Sequence, residues 1–179
     1  MRIIGGEARG RTLKGPPRSA VRPTPDRVRE AIFEILTAHN VDMTNVLDLY
    51  SGTGALGIEA LSRGAGHCDF VEADPKTCEV IRENLARAGM LDRARVFPVP
   101  VSRSLGRLQA SYDLVVADPP YEYDRAEKEL TNLLGSGLLA EAGTVVVEHS
   151  KRRQWPEELA GRPRLMSRRY GDTALTIYQ

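Results

Sequence analysis

The sequence predicts an α/β fold: a Rossmann-like, mostly parallel seven-stranded sheet with helices on both faces, an antiparallel C-terminal edge and a small N-terminal β-hairpin arm. Three observations predict it. Short apolar strand-like runs alternate with helical patterns from residue 46 to residue 148, the chain order of a doubly wound sheet. A glycine turn, Gly52-Thr-Gly54, joins the first strand pattern to an apolar helix pattern at Leu56, Ala60 and Leu61. Two late strand patterns, near Arg164 to Tyr170 and Thr173 to Tyr178, follow each other with no helical spacer, as antiparallel neighbours do. With 179 residues and 41% apolar composition, the chain suits one main domain, taken as residues 24–179, behind a basic arm of residues 1–23.

In chain order, residues 2–15 contain two strand-like pieces around glycines, read as a hairpin or loose arm carrying Arg2, Arg9, Arg11 and Lys14. Pro16 and Pro17 interrupt it, and Arg18 to Thr24 form a loop in which Arg22-Pro-Thr-Pro25 limits backbone freedom. Thr24 is a natural N-cap with Pro25 at the first helical position; Val28, Ile32, Ile35 and Leu36 then recur at helical spacing, leaving Arg27 to another face. Val46 to Leu49 is the first strand, and Cys68, Phe70 and Val71 lead to Glu72 in the second. Asp74-Pro75 opens a helix with Cys78, Ile81, Leu85 and Ala88 on its buried stripe and Gly89 as its stop. Ala94 to Val99, Tyr112 to Ala117 and Thr144 to Glu148 complete the inner strands, with a helix near Arg125 to Leu134.

Charge is distributed unevenly. The first 30 residues hold eight Arg/Lys against three Asp/Glu, the last 29 seven against three, and the middle ten against eighteen. Basic ends around an acidic centre point to a polyanion docked at the ends. No run of about 18 apolar residues is present, and the N-terminus lacks the long apolar segment of a secretory signal. Cys68 and Cys78 form no C-x-x-C pair and read as core thiols of a cytoplasmic protein. The histidines His39, His67 and His149 are scattered, so no metal is expected.

The chemistry concentrates at three places. A glycine turn at a helix N-terminus brings backbone N–H groups close to a ligand. The spacing Gly52, Gly54, Gly57 satisfies G-x-G-x-x-G, which alone allows a dinucleotide as well as an adenosyl cofactor. Asp48 favours the latter: a carboxylate four residues before the first glycine repels a pyrophosphate and suits the ammonium of S-adenosylmethionine. Its bland alternative is a turn or helix-capping acid. Glu72, ending the second strand, suits the ribose hydroxyls of either cofactor. The fourth strand runs into Asp118-Pro-Pro-Tyr121, at the carboxyl end where open α/β sheets bind ligands. There the Asp118 carboxylate and Pro119 carbonyl can accept hydrogen bonds from an exocyclic amine, Pro119 and Pro120 stiffen the backbone, and Tyr121 offers a stacking face. A base that reaches such a pocket must leave its stack.

These residues resemble the class I S-adenosylmethionine-dependent methyltransferases that act on exocyclic amines. Arg2-Ile-Ile-Gly-Gly, Arg9-Gly-Arg11, Arg22-Pro-Thr, Arg27-Val-Arg-Glu-Ala-Ile-Phe33 and Tyr170-Gly-Asp-Thr-Ala-Leu-Thr-Ile-Tyr178 further resemble the bacterial 16S ribosomal RNA guanine-N2 methyltransferases, over nearly the whole chain. The resemblance implies a cofactor site at Asp48, Tyr50, Ser51, Gly52, Thr53, Gly54, Glu72, Ala73, Ser102 and Asp118. It implies a catalytic Asp118, Pro119, Pro120 and Tyr121, and an RNA surface of Arg2, Arg9, Arg11, Lys14, Arg18, Arg22 and Arg27. Many relatives carry an Asp or Asn after the third strand for the adenine amino group, whereas this chain reads Phe97-Pro-Val-Pro-Val-Ser102, leaving that contact to backbone groups or Ser102. The implied partner is 16S ribosomal RNA, most reasonably in a partly assembled or complete 30S particle, with no membrane and no obligate protein partner; a monomer is taken as the default. Rival readings are an adenine-N6 or other exocyclic-amine methyltransferase on DNA, RNA or protein, a nicotinamide-dependent oxidoreductase, and a nucleic-acid-binding module with a vestigial cofactor site.

Overall fold

The computed structural model describes residues 1–15, 26–108 and 111–179. Helix α1 (Asp26–Ala38) precedes a βαβ run of β1 (Asn45–Leu49), α2 (Ala55–Ser62), β2 (His67–Glu72), α3 (Pro75–Ala88) and β3 (Ala94–Pro98). Then come β4 (Tyr112–Ala117), α4 (Ala126–Leu133), β5 (Leu139–Ser150), β6 (Glu158–Leu159), β7 (Arg162–Tyr170) and β8 (Thr173–Tyr178). One sheet runs in the order β3-β2-β1-β4-β5-β8-β7-β6. The first five strands in that order pair in parallel, and β8 is antiparallel to both β5 and β7. This is the expected mostly parallel arrangement, seven main strands with an antiparallel insertion at the C-terminal edge. The two-residue β6 is an addition that no sequence pattern announced.

Local signals explain the boundaries that were expected. Asp74 caps α3, its Oδ2 accepting from Thr77 N–H at 3.2 Å and Thr77 Oγ1 at 2.7 Å; Pro75 follows, and Gly89 ends the helix in the left-handed region at φ 73°. The inner strands are apolar on both faces because helices cover both. On one face Val46, Phe70 and Val116 pack with Ile32, Ile58 and Ile81; on the other Leu47, Val115 and Val147 pack with Leu130, Leu133 and Trp155. Strand β5 begins at Leu139, five residues before the expected Thr144. A pairing of Tyr112 with Leu139 ahead of a register shift carries the ladder past the apolar run.

The N-terminal segment is closely attached. Its hairpin pairing consists of one antiparallel bridge, Arg2 with Thr12, and Ile3, Ala8 and Leu13 are buried in the main core. Glu59, fully buried on α2, accepts the N–H of Ile4 at 2.9 Å and of Gly5 at 2.7 Å. Arg29 of α1, also fully buried, lies 3.7 Å from Glu59 and donates to the Arg2 carbonyl at 2.6 Å. Asn84 of α3 accepts from Lys14 N–H at 2.7 Å and donates to Lys14 O at 3.1 Å. The segment expected as a hairpin or loose arm is thus sewn to α1, α2 and α3, because its three apolar side chains leave water only by packing inward. Thr24 and Pro25, expected to start α1, lie outside the described residues, as do Arg18 and Arg22.

Candidate active site

The strand order reverses between β1 and β4, so a crevice opens beyond their carboxyl ends. The turn after β1 fills one side of it. Tyr50, Gly52 and Gly54 have φ of 56°, 53° and 78°, a left-handed zigzag that glycine adopts freely and tyrosine does not. The glycines divide the work. A Cβ on Gly52 would meet only Tyr50 O, 4.0 Å away, so this residue faces open space. On Gly54 it would lie 3.1 Å from Ile81 Cγ2, and on Gly57 2.4 Å from Phe70 Cε1. Gly54 and Gly57 therefore let α2 lie down on β2 and α3, and Gly52 alone leaves the face of the turn bare for a ligand.

Asp48 sits beneath that turn, 1% exposed, with Oδ2 accepting the Gly57 N–H at 2.9 Å. It thereby satisfies one of the open amides of the first turn of α2, the helix-capping role weighed against cofactor binding in the sequence. Burial, reinforced by the nearby charges of Asp118 and Glu72, pushes its carboxyl well above the ordinary aspartate range, against the pull of the Gly57 hydrogen bond. A cation placed here would stabilise the ionised form. Glu72, half-buried, stands between two loops: Oε2 accepts from Gly52 N–H at 3.0 Å and Oε1 from Asp74 N–H at 2.9 Å. Ser51 closes the turn, its Oγ donating to Asp48 O at 2.6 Å, and Thr53 O accepts from Asn84 Nδ2 at 3.0 Å. Ala73 is exposed beside Glu72, and Ser102 is exposed on the 3-10 turn Val101–Arg103.

The opposite wall is Asp118 to Tyr121. Asp118 N–H reaches Leu49 O at 3.4 Å, which seats the motif against the end of β1. Asp118 is half-buried, Pro119 buried and Pro120 exposed; the Pro120 carbonyl accepts from Tyr123 N–H at 2.8 Å. Tyr121 is 36% exposed, and its hydroxyl hydrogen-bonds Thr173 Oγ1 at 2.5 Å, fixing the ring against the start of β8. The turn, Glu72 and Asp118 therefore share one edge of the sheet, close enough that Glu72 and Asp118 both act on the Asp48 carboxyl. A bare glycine, a carboxylate pair suited to a cation and a half-buried acid with two oxygens fit an adenosyl cofactor with an ammonium end. A pyrophosphate would meet the Glu72 carboxylate as a like charge and would hold Asp48 in its neutral form, whereas an ammonium draws out its ionised form. No group of three or more His, Cys, Asp or Glu among the described residues is arranged to hold a metal, and no helix among them is long and apolar enough to cross a membrane.

The basic residues are more dispersed. Arg2, Arg9 and Arg27 are exposed and form no ion pair among the described residues. Arg11 donates to Arg87 O at 3.1 Å and Lys14 pairs with Glu83 at 2.8 Å, so both lie along α3. Further exposed arginines, Arg152, Arg168 and Arg169, lie at the carboxyl ends of β5 and β7. Sequence reading also missed buried polar residues. Glu59 is an acid in the otherwise apolar helix Ala-Leu-Gly-Ile-Glu-Ala-Leu-Ser, and Asn84 falls three residues after Ile81 on a buried stripe; each was a visible interruption of an apolar pattern. Glu148, 2% exposed, follows Val147, whose partner in β4 is Ala117, and so continues the row of Asp118. Glu129, Tyr123 and Arg153, next to the Asp118 loop, gave no signal.

Comparison with known proteins agrees with this fold. The family model described as Conserved hypothetical protein 95 matches residues 1–179. Ribosomal RNA small subunit methyltransferase D of Escherichia coli K12 is 35% identical over 100% of this chain and 89% of its own length. The structure of a Thermus thermophilus hypothetical protein superposes with a TM-score of 0.84 at 35% identity, covering 99% of this chain and 98% of that one. A more distant RNA methyltransferase from Salinibacter ruber, in complex with S-adenosyl-L-homocysteine, shares the fold at 21% identity and a TM-score of 0.65, over 88% of this chain and 92% of its own. With its whole length matched by the family model, the chain belongs to the Conserved hypothetical protein 95 family, in company with ribosomal RNA small subunit methyltransferase D.

Proposed function

We propose that this chain transfers a methyl group from S-adenosylmethionine to the exocyclic N2 amine of a guanine in 16S ribosomal RNA. The observation that carries the reading is the placement of Asp118-Pro-Pro-Tyr121 across the crevice from a glycine turn whose outer face is open at Gly52. The name of the Escherichia coli relative supports an RNA of the small ribosomal subunit as substrate, and the ligand of the Salinibacter ruber protein supports the cofactor.

S-adenosylmethionine supplies a methyl group already activated on a sulfonium. The protein's part is positioning. Asp48 offers charge to the methionyl ammonium, and Glu72 exchanges its contacts with Gly52 and Asp74 for the ribose hydroxyls. On this reading Ser51, Thr53 and Ala73 belong to the same cofactor site, and backbone groups or Ser102 meet the adenine. Asp118 and the Pro119 carbonyl accept hydrogen bonds from the guanine amine and turn its lone pair toward the methyl group. A fixed Tyr121 ring stacks on the flipped base. Arg2, Arg9 and Arg27, with Arg18 and Arg22, hold phosphates, and the substrate is the base as presented by folded RNA in a small-subunit particle.

The test is methyl transfer with labelled cofactor to small-subunit particles from cells lacking the enzyme, and to protein-free 16S RNA, followed by nucleoside analysis. Label in N2-methylguanosine upholds the reading. Label in N6-methyladenosine, or in ribosomal protein, replaces it with another exocyclic-amine substrate. Full turnover on protein-free RNA with none on particles overturns the particle as substrate.

A further inference from the structure

We propose that Glu129 is a positioning residue that locks the cofactor turn to the Asp118 loop, each of its two carboxylate oxygens holding one of the two pieces. The inference rests on the methyltransferase reading of the crevice. Glu129 lies in the first turns of α4. Its Oε2 accepts from the Tyr50 hydroxyl at 2.8 Å and its Oε1 from the Tyr123 hydroxyl at 2.5 Å. The two rings meet edge to face, with centroids 6.1 Å apart and planes at 65°. One carboxylate therefore joins two residues far apart in sequence, one at each wall of the crevice.

Each tyrosine is tied to the functional piece beside it. Tyr50 leads into the glycine turn and holds a left-handed backbone at φ 56°, a conformation that a bulky side chain keeps only when its surroundings insist on it. The Glu129 contact is that insistence. Tyr123 lies two residues after Tyr121, and its N–H returns to the Pro120 carbonyl at 2.8 Å. The same loop is held from the end of β5: Arg153, lying over the Trp155 ring at 5.1 Å, donates to Tyr123 O at 2.5 Å and Asp124 O at 3.0 Å. Both phenols must remain protonated to serve one carboxylate. Burial and the Glu129 contact raise the Tyr50 pKa, and the Glu129 hydrogen bond raises that of Tyr123. An acid in the first turn of a helix also interacts with the helix dipole, but that role needs neither phenol.

In a reaction governed by the relative placement of two bound groups, a displacement of about 1 Å costs roughly a hundredfold in rate. Releasing Tyr50 and Tyr123 from their common anchor lets the two walls drift independently. The test compares Glu129→Ala, Glu129→Gln, Tyr50→Phe and Tyr123→Phe for cofactor Kd by calorimetry, and for single-turnover kcat and RNA KM in transfer to small-subunit particles. For Glu129→Ala the expected result is a kcat lowered about tenfold to a hundredfold, a several-fold weaker cofactor Kd and an unchanged RNA KM. Glu129→Gln, which keeps one acceptor and the same shape, restores part of the rate. The Tyr50→Phe/Tyr123→Phe double variant falls no further than Glu129→Ala, since all three break the same link. A kcat and cofactor Kd within twofold of wild type in Glu129→Ala overturn the proposal. So does a loss that follows the melting temperature and disappears on cooling. If wild type itself transfers no methyl to RNA, the substrate reading fails while the cofactor arm still decides: Tyr123→Phe, which keeps the ring beside Tyr50 and removes only the hydroxyl held by Glu129, weakens cofactor binding if Glu129 is the link and leaves it unchanged if it is not.

Discussion

Gly57→Ala tests the division of labour among the glycines, because the added methyl collides with the protein rather than with a ligand. Its Cβ would lie 2.4 Å from Phe70 Cε1, 2.7 Å from Phe70 Cζ and 2.7 Å from Cys68 Sγ. Phe70 and Cys68 are both fully buried strand residues, so neither can swing into solvent. Overpacking of this kind costs about 1–3 kcal/mol, and the rigidity of the site places it at the upper end. Alanine in place of glycine inside a helix returns about 1 kcal/mol, leaving a net loss of about 2 kcal/mol. For a chain of this size that lowers the melting temperature by roughly 4–8 °C. The helix is also levered away from Asp48, whose Oδ2 is held by the amide of this same residue. Thermal melts by circular dichroism measure the loss, and Phe70→Leu in the Gly57→Ala background should recover part of it by removing the ring edge. Gly52→Ala is the contrasting case: its Cβ meets open space, so only the left-handed backbone is strained, at about 1–2 kcal/mol, and cofactor affinity suffers most. A melting temperature for Gly57→Ala within about 1 °C of wild type, with cofactor affinity lost, would refute the assignment of Gly57 to packing.

Other perturbations separate charge from packing. Burial holds the Asp48 carboxyl well above its ordinary range, so the native state keeps a proton that the unfolded state gives up, and stability falls as pH rises from about 4 through the native value. Asp48→Asn stays neutral and still accepts from Gly57, so urea melts across that window should lose this downward slope while calorimetry finds weaker cofactor binding; an unchanged slope would contradict the burial of a titrating acid. Glu59→Ala leaves Arg29 buried beside released amides of Ile4 and Gly5 and should cost about 3–5 kcal/mol, with hydrogen exchange at those two amides rising first. Tyr121→Phe loses the Thr173 hydrogen bond and keeps a stacking face, so RNA KM should stay within a few-fold, whereas Tyr121→Ala should raise it about tenfold to a hundredfold, the equivalent of roughly 1–3 kcal/mol of stacking.

Much of the fold was legible because its causes are local. Asp74, Pro75 and Gly89 bound α3 through their own backbone preferences, and the apolar runs of β1, β2 and β4 needed no partner to be read as buried parallel strands. The meeting of Asp48, Glu72 and Asp118 at one edge of the sheet was legible for a related reason: they are acids where strands end, and the topology brings such ends together. Contacts made across the chain were not legible. Glu59 meets Gly5 and Ile4 from 54 and 55 residues away, and Glu129 meets Tyr50 from 79, distances over which no periodicity operates. The same limit explains the N-terminal segment, whose Ile3, Ala8 and Leu13 look like an irregular scatter until α1, α2 and α3 supply the surface they cover. It explains β6 as well, since two residues pair with β7 through backbone groups alone.

The most direct test of the central claim is the single-turnover rate of methyl transfer from S-adenosylmethionine to small-subunit particles by Asp118→Ala beside wild type, with cofactor Kd measured on the same preparations. The expected result is label in N2-methylguanosine with wild type, a loss of at least about a hundredfold with Asp118→Ala, and cofactor binding retained by both. A wild-type rate in Asp118→Ala, with the cofactor bound, would contradict the assignment of this loop to the chemistry.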